Sequence, residues 1–237
     1  MQIVAHRGAT DDAPANTIPA FRRALDLGAD AIECDVRLTR DRVPVLAHFF
    51  TVNDARGGAG PVFLYDAADI RSDEANHIPT LHEVLAMFAG QIGLEIEIKG
   101  PEPESAAIVA AALQPYRHVW ESIEVTSYEP ILLRAMQAAC PDLATDLLRL
   151  RSEPWMTPEI VAHLVIHRAR LAHARAVHLH PTQLLPDTVT AIRAAGIEVH
   201  AWDVNDPHAL ATVTELRIPR ICTDRLADAL NYRQQMP

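Results

Sequence analysis

Apolar and polar residues alternate strictly over Ala31-Ile32-Glu33-Cys34-Asp35-Val36, which sends Glu33 and Asp35 to one face of a strand and Ile32, Cys34 and Val36 to the other. The same period of two governs Gly93-Leu94-Glu95-Ile96-Glu97-Ile98-Lys99, where Leu94, Ile96 and Ile98 oppose Glu95, Glu97 and Lys99. Helical spacing takes over from Ile18 to Leu27, with Phe21, Ala24 and Leu25 on one face and Gly28 as the stop. A second helix runs from Thr80 through Leu81, Val84, Leu85 and Phe88, and Thr80 with Glu83 has the spacing of a capping box. Strands are predicted near 2–6, 30–36, 93–99, 122–127, 143–148, 176–180, 197–203 and 220–223. Helices are predicted near 103–114, 129–139, 156–170, 186–195, 207–216 and 225–234. About eight strand–helix units in alternation predict a closed parallel α/β barrel of the TIM (β/α)8 type. The rival is an open doubly wound sheet, but no glycine-rich dinucleotide loop follows the first strand.

One hairpin interrupts the alternation. The acidic strand continues to Thr39, turns at Arg40-Asp41-Arg42, and a second strand from Val43 to His48 returns. A turn centred on Asp41 sets Arg37 opposite Val45 and Asp35 opposite Ala47, which delivers His48 beside Glu33 and Asp35. Residues 49–79 are weakly periodic and too long for a plain connection, so they form a small insertion. No repeat, low-complexity tract or linker divides the chain, and residues 1–237 are expected to be one barrel domain.

Catalytic groups of such a barrel stand at the carboxyl ends of its strands. Those ends supply His6 and Arg7, then Glu33 and Asp35 with the returned His48, then Glu97 and Lys99. The apolar faces must meet the helices, so the charges point into the barrel, where an uncompensated charge costs several kcal/mol. Either an ion or a network among Glu95, Glu97, Lys99 and Arg7 must compensate them. Converging carboxylates favour a hard divalent cation, magnesium or calcium. His178 and His180 alternate on one strand and are candidates for the mouth, whereas His163, His167 and His173 lie at solvent-facing helical positions. Cys34 points away from the carboxylates, Asp224 is a helix cap or a substrate contact, and Ser127 lacks the partners of a nucleophile.

A formal charge of −10 excludes a nucleic-acid-binding surface but not a small anionic substrate, since local cations override the global sign. Three cysteines without a CxxC pair suit reduced buried thiols. With no basic-then-apolar leader and no apolar run long enough for a bilayer, a cytoplasmic protein without an integral membrane segment is expected.

His6-Arg7-Gly8, Asn16-Thr17, Glu33-Cys34-Asp35-Val36, Val45-Leu46-Ala47-His48, Gly58-Ala59-Gly60, Ile78-Pro79-Thr80-Leu81 and Glu97-Ile98-Lys99 occur in that order. Thr126-Ser127-Tyr128, Val199 to Asn205 and Cys222-Thr223-Asp224-Arg225 follow. This ordered set resembles the glycerophosphodiester phosphodiesterases, a branch of the phospholipase-C-like barrels. The resemblance implies metal-assisted hydrolysis of a glycerophosphodiester to sn-glycerol 3-phosphate and an alcohol. It implies Glu33, Asp35 and Glu97 as ligands of one Mg2+ or Ca2+, and His6 and His48 as general acid and base, work for which imidazole is suited. Arg7 and Lys99 are implied as phosphate binders and Trp202 as a wall for the glycerol or leaving group. The sequence departs from the family pattern at Ala15, Phe49, Asn53-Asp54 and Glu95, and Phe49 with Phe50 points to a more apolar mouth. Alternatives within the resemblance are a lysophospholipase D or sphingomyelinase-D-like activity, or a barrel that binds a phosphorylated ligand without turning it over.

Overall fold

In a computed structural model, which describes residues 1–11, 13–53, 58–70 and 77–235, the alternating strands close into a parallel eight-stranded barrel. The strands are β1 (Gln2–Ala5), β2 (Ala31–Leu38), β3 (Pro44–Leu46), β4 (Thr51–Asn53), β5 (Ala59–Pro61), β6 (Gly93–Ile98), β7 (Ile123–Ser127), β8 (Ala144–Leu148), β9 (Ala176–Leu179), β10 (Glu198–Ala201) and β11 (Arg220–Thr223). The barrel order is β1, β2 and then β6 to β11, and β1 pairs with both β2 and β11 to close it. The helices are α1 (Ile18–Leu27), α2 (Ala67–Ile70), α3 (Leu81–Phe88), α4 (Ser105–Leu113), α5 (Pro130–Ala139), α6 (Pro158–Ala172), α7 (Pro186–Ala194), α8 (Pro207–Glu215) and α9 (Leu226–Gln234). No helix among the described residues is long and apolar enough to cross a membrane.

Period-two strands put their apolar set against the helices, as Ile32, Cys34, Leu94, Ile96 and Val125 join the helix-facing core. Local chemistry sets the helix ends: Thr17 caps α1, Gly28 closes it at φ 83°, and Thr80 with Glu83 forms the reciprocal capping box of α3. Gly8 is required twice over. Its φ is 90°, and a β-carbon there would lie 2.7 Å from the backbone of Ala20 in α1, so the loop carrying His6 and Arg7 can sit flat on that helix only without a side chain.

The hairpin has the register expected of it: Arg37 lies opposite Val45, and Ala47 N–H donates to the Asp35 carbonyl. β3 covers Pro44–Leu46, shorter than 43–48, and its other edge meets the returning insertion, where Leu46 N–H donates to the Pro79 carbonyl. Among the described residues the insertion contains the β4–β5 hairpin, a 3-10 turn over Val62–Leu64 and α2, held by Val45, Ala47, Val62, Ala67 and Ile70. Three-residue strands are too short to show a period, which is why the sequence pattern is weak there. Asp54 lies outside the described residues.

The interior is polar. Below a thin plug of Val4, Ala31 and Cys222, at the amino ends of the strands, Glu95, Glu124 and Asp146 are buried with His178 and His200, and Arg220 and Arg175 reach in from the rim. Arg175 donates to Asp146 Oδ2 at 2.6 Å and to Glu124 Oε2 at 2.8 Å, while Arg220 Nε lies 2.9 Å from Glu124 Oε1. The strand reading allowed His178 a place in the mouth. The structure corrects this: inward positions two residues apart descend the barrel, so His180 is at the rim and His178 in the floor, 3.5 Å from Glu95. Burial and Glu95 push Glu124 up to about 8. Burial and then His178 hold His200 down to about 2, and its Nδ1 lies 3.1 Å from His178 Nε2.

A pH dependence follows from His200. The unfolded chain protonates it below about 6.5 and the folded one does not, so its neutral burial contributes fully above that pH and is lost as pH falls. Urea titrations from pH 7 to 5.5 are expected to lose about 1.4 kcal/mol per pH unit below 6.5 from this group. A His200→Asn variant is expected to lose that acid slope, and a slope unchanged by the substitution would contradict the assignment.

Candidate active site

The opposite end of the barrel opens into a cavity of about 380 Å³ whose lining includes His6, Arg7, Glu33, His48, Glu97, Lys99, Tyr128, Trp202 and Asp224. Glu33 and Asp35 come from β2 and Glu97 from β6, with Asp35 beside Glu97 in the parallel register. One oxygen from each of the three carboxylates lies within 4.8 Å of the others.

Each histidine is anchored by a different acid. His6 Nδ1 lies 2.6 Å from Asp224 Oδ1, and His48 Nδ1 lies 3.2 Å from Asp35 Oδ1. A carboxylate accepts, so Nδ1 is the protonated nitrogen in both rings and Nε2 is left for the cavity. His6 Nε2 is 3.9 Å from Glu33 Oε2, and an Arg7 guanidinium nitrogen is 3.5 Å from His48 Nε2. The Arg37 guanidinium donates to the His48 carbonyl at 3.1 Å and to the Gly100 carbonyl, which fixes the returning chain.

The cations and Asn16 concentrate on Asp35. Asn16 Nδ2 donates to its Oδ2 at 2.7 Å, Arg7 Nε lies 3.0 Å from Oδ2, and Lys99 Nζ lies 3.0 Å from Oδ1 and 2.8 Å from Glu97 Oε1. Burial alone would raise Asp35, but the bond from His48 and the charges of Lys99 and Arg7 hold it well below the usual carboxylate range. Glu33 and Glu97 receive less. Burial and the neighbouring Asp35 charge push Glu33 well up, and burial brings Glu97 to about 7 against the pull of Lys99.

Two side-chain groups among the described residues bring potential ligand atoms together, the mouth trio and the floor set of Glu124, Asp146, His178 and His200. The floor acids already face two guanidiniums and His178. In the mouth, Glu33 Oε1 is buried with no hydrogen-bond partner. An orphaned oxygen beside two more carboxylates is an all-oxygen donor set, the chemistry that fits a hard divalent ion.

Residues 6–228 match the glycerophosphoryl diester phosphodiesterase family. The chain belongs to that family. It is 30% identical to a glycerophosphodiester phosphodiesterase of Caldanaerobacter subterraneus subsp. tengcongensis, covering 94% of this chain and 93% of the relative. A glycerophosphodiester phosphodiesterase from Agrobacterium tumefaciens superposes with a TM-score of 0.74 at 28% identity, covering 96% of this chain and 97% of that one. An Oleispira antarctica phosphodiesterase, solved in complex with the product sn-glycerol-3-phosphate, shares the fold with a TM-score of 0.84 at 22% identity, covering 99% and 97%. The chain is therefore an enzyme, a phosphoric diester hydrolase of the glycerophosphodiester phosphodiesterase type.

Among the residues singled out in the sequence, this phosphodiesterase gathers His6, Arg7, Glu33, Asp35, His48, Glu97, Lys99 and Trp202 around one mouth. Trp202 Nε1 donates to the Arg149 carbonyl, and its ring packs 5.2 Å from that of His180, fixing it as a wall. The departure at Glu95 is explained by the floor, since that side chain faces His178 and Arg220. Asp224, read from the sequence as a helix cap or a substrate contact, instead anchors His6, and Asn16 and Asn205 carry no role in the sequence reading beyond their place in the motif set. Asn205 donates to Asp224 Oδ2 at 2.7 Å and accepts from Asp224 N–H at 2.8 Å, which leaves Oδ1 for His6. The position of Asp224 directly after the last barrel strand was the available signal. Asp224→Asn keeps the shape but removes the charge that fixes the His6 tautomer. Steady-state kinetics of this variant are expected to show kcat lowered about 10- to 100-fold with KM little changed; an unchanged kcat would make Asp224 structural only.

Proposed function

We propose that the chain hydrolyses glycerophosphodiesters to sn-glycerol 3-phosphate and an alcohol, using one divalent cation, Mg2+ or Ca2+, held by Glu33, Asp35 and Glu97. The observation that carries this reading is the meeting of three buried carboxylates with two carboxylate-anchored imidazoles in one open cavity. A bound divalent cation would neutralise the phosphate and polarise its oxygens. His6 and His48 form the acid–base pair: one Nε2 takes the proton of the attacking oxygen, and the other imidazole, protonated, gives a proton to the leaving alcohol. Arg7 and Lys99, each already against Asp35, place positive charge where phosphate oxygens would gain negative charge. Trp202 supplies a flat apolar wall for the glycerol or the leaving group.

The test is product identity. Incubation with glycerophosphocholine and glycerophosphoethanolamine is expected to release sn-glycerol 3-phosphate with free choline or ethanolamine. Appearance of phosphocholine with glycerol would place the cleaved bond on the wrong side of phosphorus and defeat the reading. Loss of the wall in Trp202→Ala is expected to raise KM more than it lowers kcat.

A further inference from the structure

The amino end of the barrel holds a second group of ligand atoms, built differently from the mouth. Four neighbouring strands each give one buried side chain to it: Glu124 from β7, Asp146 from β8, His178 from β9 and His200 from β10. His178 Nε2 lies 3.3 Å from Asp146 Oδ2, and His200 Nδ1 lies 3.6 Å from the same oxygen and 3.1 Å from His178 Nε2. Ligands about 2.0–2.1 Å from a tetrahedral ion stand about 3.3 Å apart, so these three atoms already outline one face of such a shell. The fourth corner is Glu124 Oε1, 3.9 Å from His178 Nε2. It is buried and makes no hydrogen bond, although Arg220 Nε lies 2.9 Å away.

Both rings are held from behind. His178 Nδ1 lies 3.5 Å from Glu95 Oε1, and His200 Nε2 lies 3.4 Å from Glu198 Oε2. A carboxylate at the far nitrogen takes that N–H and leaves the lone pair of the near nitrogen for an ion, which is how histidine ligands of zinc are commonly supported. Charge points the same way. Four carboxyl groups, Glu95, Glu124, Asp146 and Glu198, meet two guanidiniums, Arg175 and Arg220, so the ionised floor lacks two positive charges, the charge of one dication. A carboxylate oxygen carries two lone pairs, so Arg175 does not exhaust Asp146 Oδ2. An entry exists as well: a cavity of about 570 Å³ at this end has Glu124, Arg175, Glu198, His200 and Arg220 in its lining.

We propose that the floor is a second metal site, which takes a zinc-type dication through Asp146, His178, His200 and Glu124. Two imidazoles with two carboxylates suit zinc over magnesium or calcium, whose ligands are oxygen. The all-oxygen trio of the mouth has the opposite preference. An ion here ties four strands together at the end of the barrel away from the catalytic cavity, so it stabilises the fold and takes no part in the reaction.

The test is a zinc titration of chelator-stripped protein against a chromophoric chelator, made in a Glu33→Gln/Glu97→Gln background that disables the mouth. This background is expected to keep one zinc per chain, with imidazole scattering in its X-ray absorption spectrum. Its melting temperature is expected to rise by about 5–10 °C at free zinc about 100-fold above Kd. Adding His200→Asn is expected to weaken that zinc at least about 100-fold, with near-ultraviolet circular dichroism showing the variant folded. Adding Glu198→Ala instead, at an exposed position where folding is not at stake, is expected to weaken it about 10-fold. Zinc lost in the mouth background, or bound there without imidazole, would overturn the proposal. So would zinc binding unchanged by both floor substitutions, or no zinc binding at all, which would leave the floor a network closed by Arg175 and Arg220. Turnover of glycerophosphocholine by the wild type decides the reading of the mouth separately, since no outcome of the titration alters it.

Discussion

His48→Ala is expected to lower kcat for glycerophosphocholine by about 10²- to 10⁴-fold, the range that a positioned acid or base contributes, with little change in KM. The size follows from how the ring is held. Asp35 accepts from Nδ1, and Arg37 donates to the His48 carbonyl, so the imidazole is set at the cavity with its Nε2 free to act. His6→Ala is expected to fall in the same range, and the double variant little further, because the two groups serve one proton inventory. An activated leaving group separates their roles: a p-nitrophenyl ester needs no proton on departure, so it is expected to restore the variant that lacks the acid and not the one that lacks the base. Equal rescue of both, or neither substitution costing more than a fewfold, would remove the histidines from the mechanism.

Removing the cation is expected to have an effect at least as large. EDTA is expected to bring activity to background, with Mg2+ or Ca2+ restoring it. Glu97→Gln keeps the volume but removes one of three charges, and it is expected to weaken metal affinity by at least about 100-fold, more than loss of a supporting partner costs. The physical reason is the uneven supply of positive charge in the mouth. Asp35 is held by Arg7, Lys99, His48 and Asn16, whereas Glu33 keeps an orphaned buried oxygen and Glu97 shares Lys99 with Asp35. Activity that resists both the chelator and Glu97→Gln would show that Lys99 and Arg7 suffice.

The barrel was legible because each inward strand face announces itself by alternation, and Gly93 to Lys99 carries three charges in a row on a face that must be interior. The hairpin register was legible for a related reason: a tight turn at Asp41 leaves one arrangement that buries Val36 and Leu46 together. What escaped were contacts made across the barrel. Arg175, just before β9, and Arg220, at the start of β11, enter the floor far in sequence from the Glu124 and Asp146 they neutralise, and a single-strand pattern cannot show how deep His178 lies. The pairing of Asp224 with His6, and Asn205 behind it, escaped in the same way, since an acid after a strand caps a helix or meets substrate as readily as it anchors a histidine, and only the closure of β1 against β11 decides. The insertion was unreadable because its stability comes from a small apolar cluster shared with the hairpin and not from any local period.

Everything in the mouth turns on whether its three acids share one dication. Calorimetric titration of the metal-free protein with Mg2+ and with Ca2+ decides it. One ion per chain is expected for at least one of the two metals, with the binding heat abolished in Glu33→Gln/Glu97→Gln. Undiminished binding in that variant, or binding lost only when His178 and Asp146 are replaced, would move the ion away from the mouth and contradict the account.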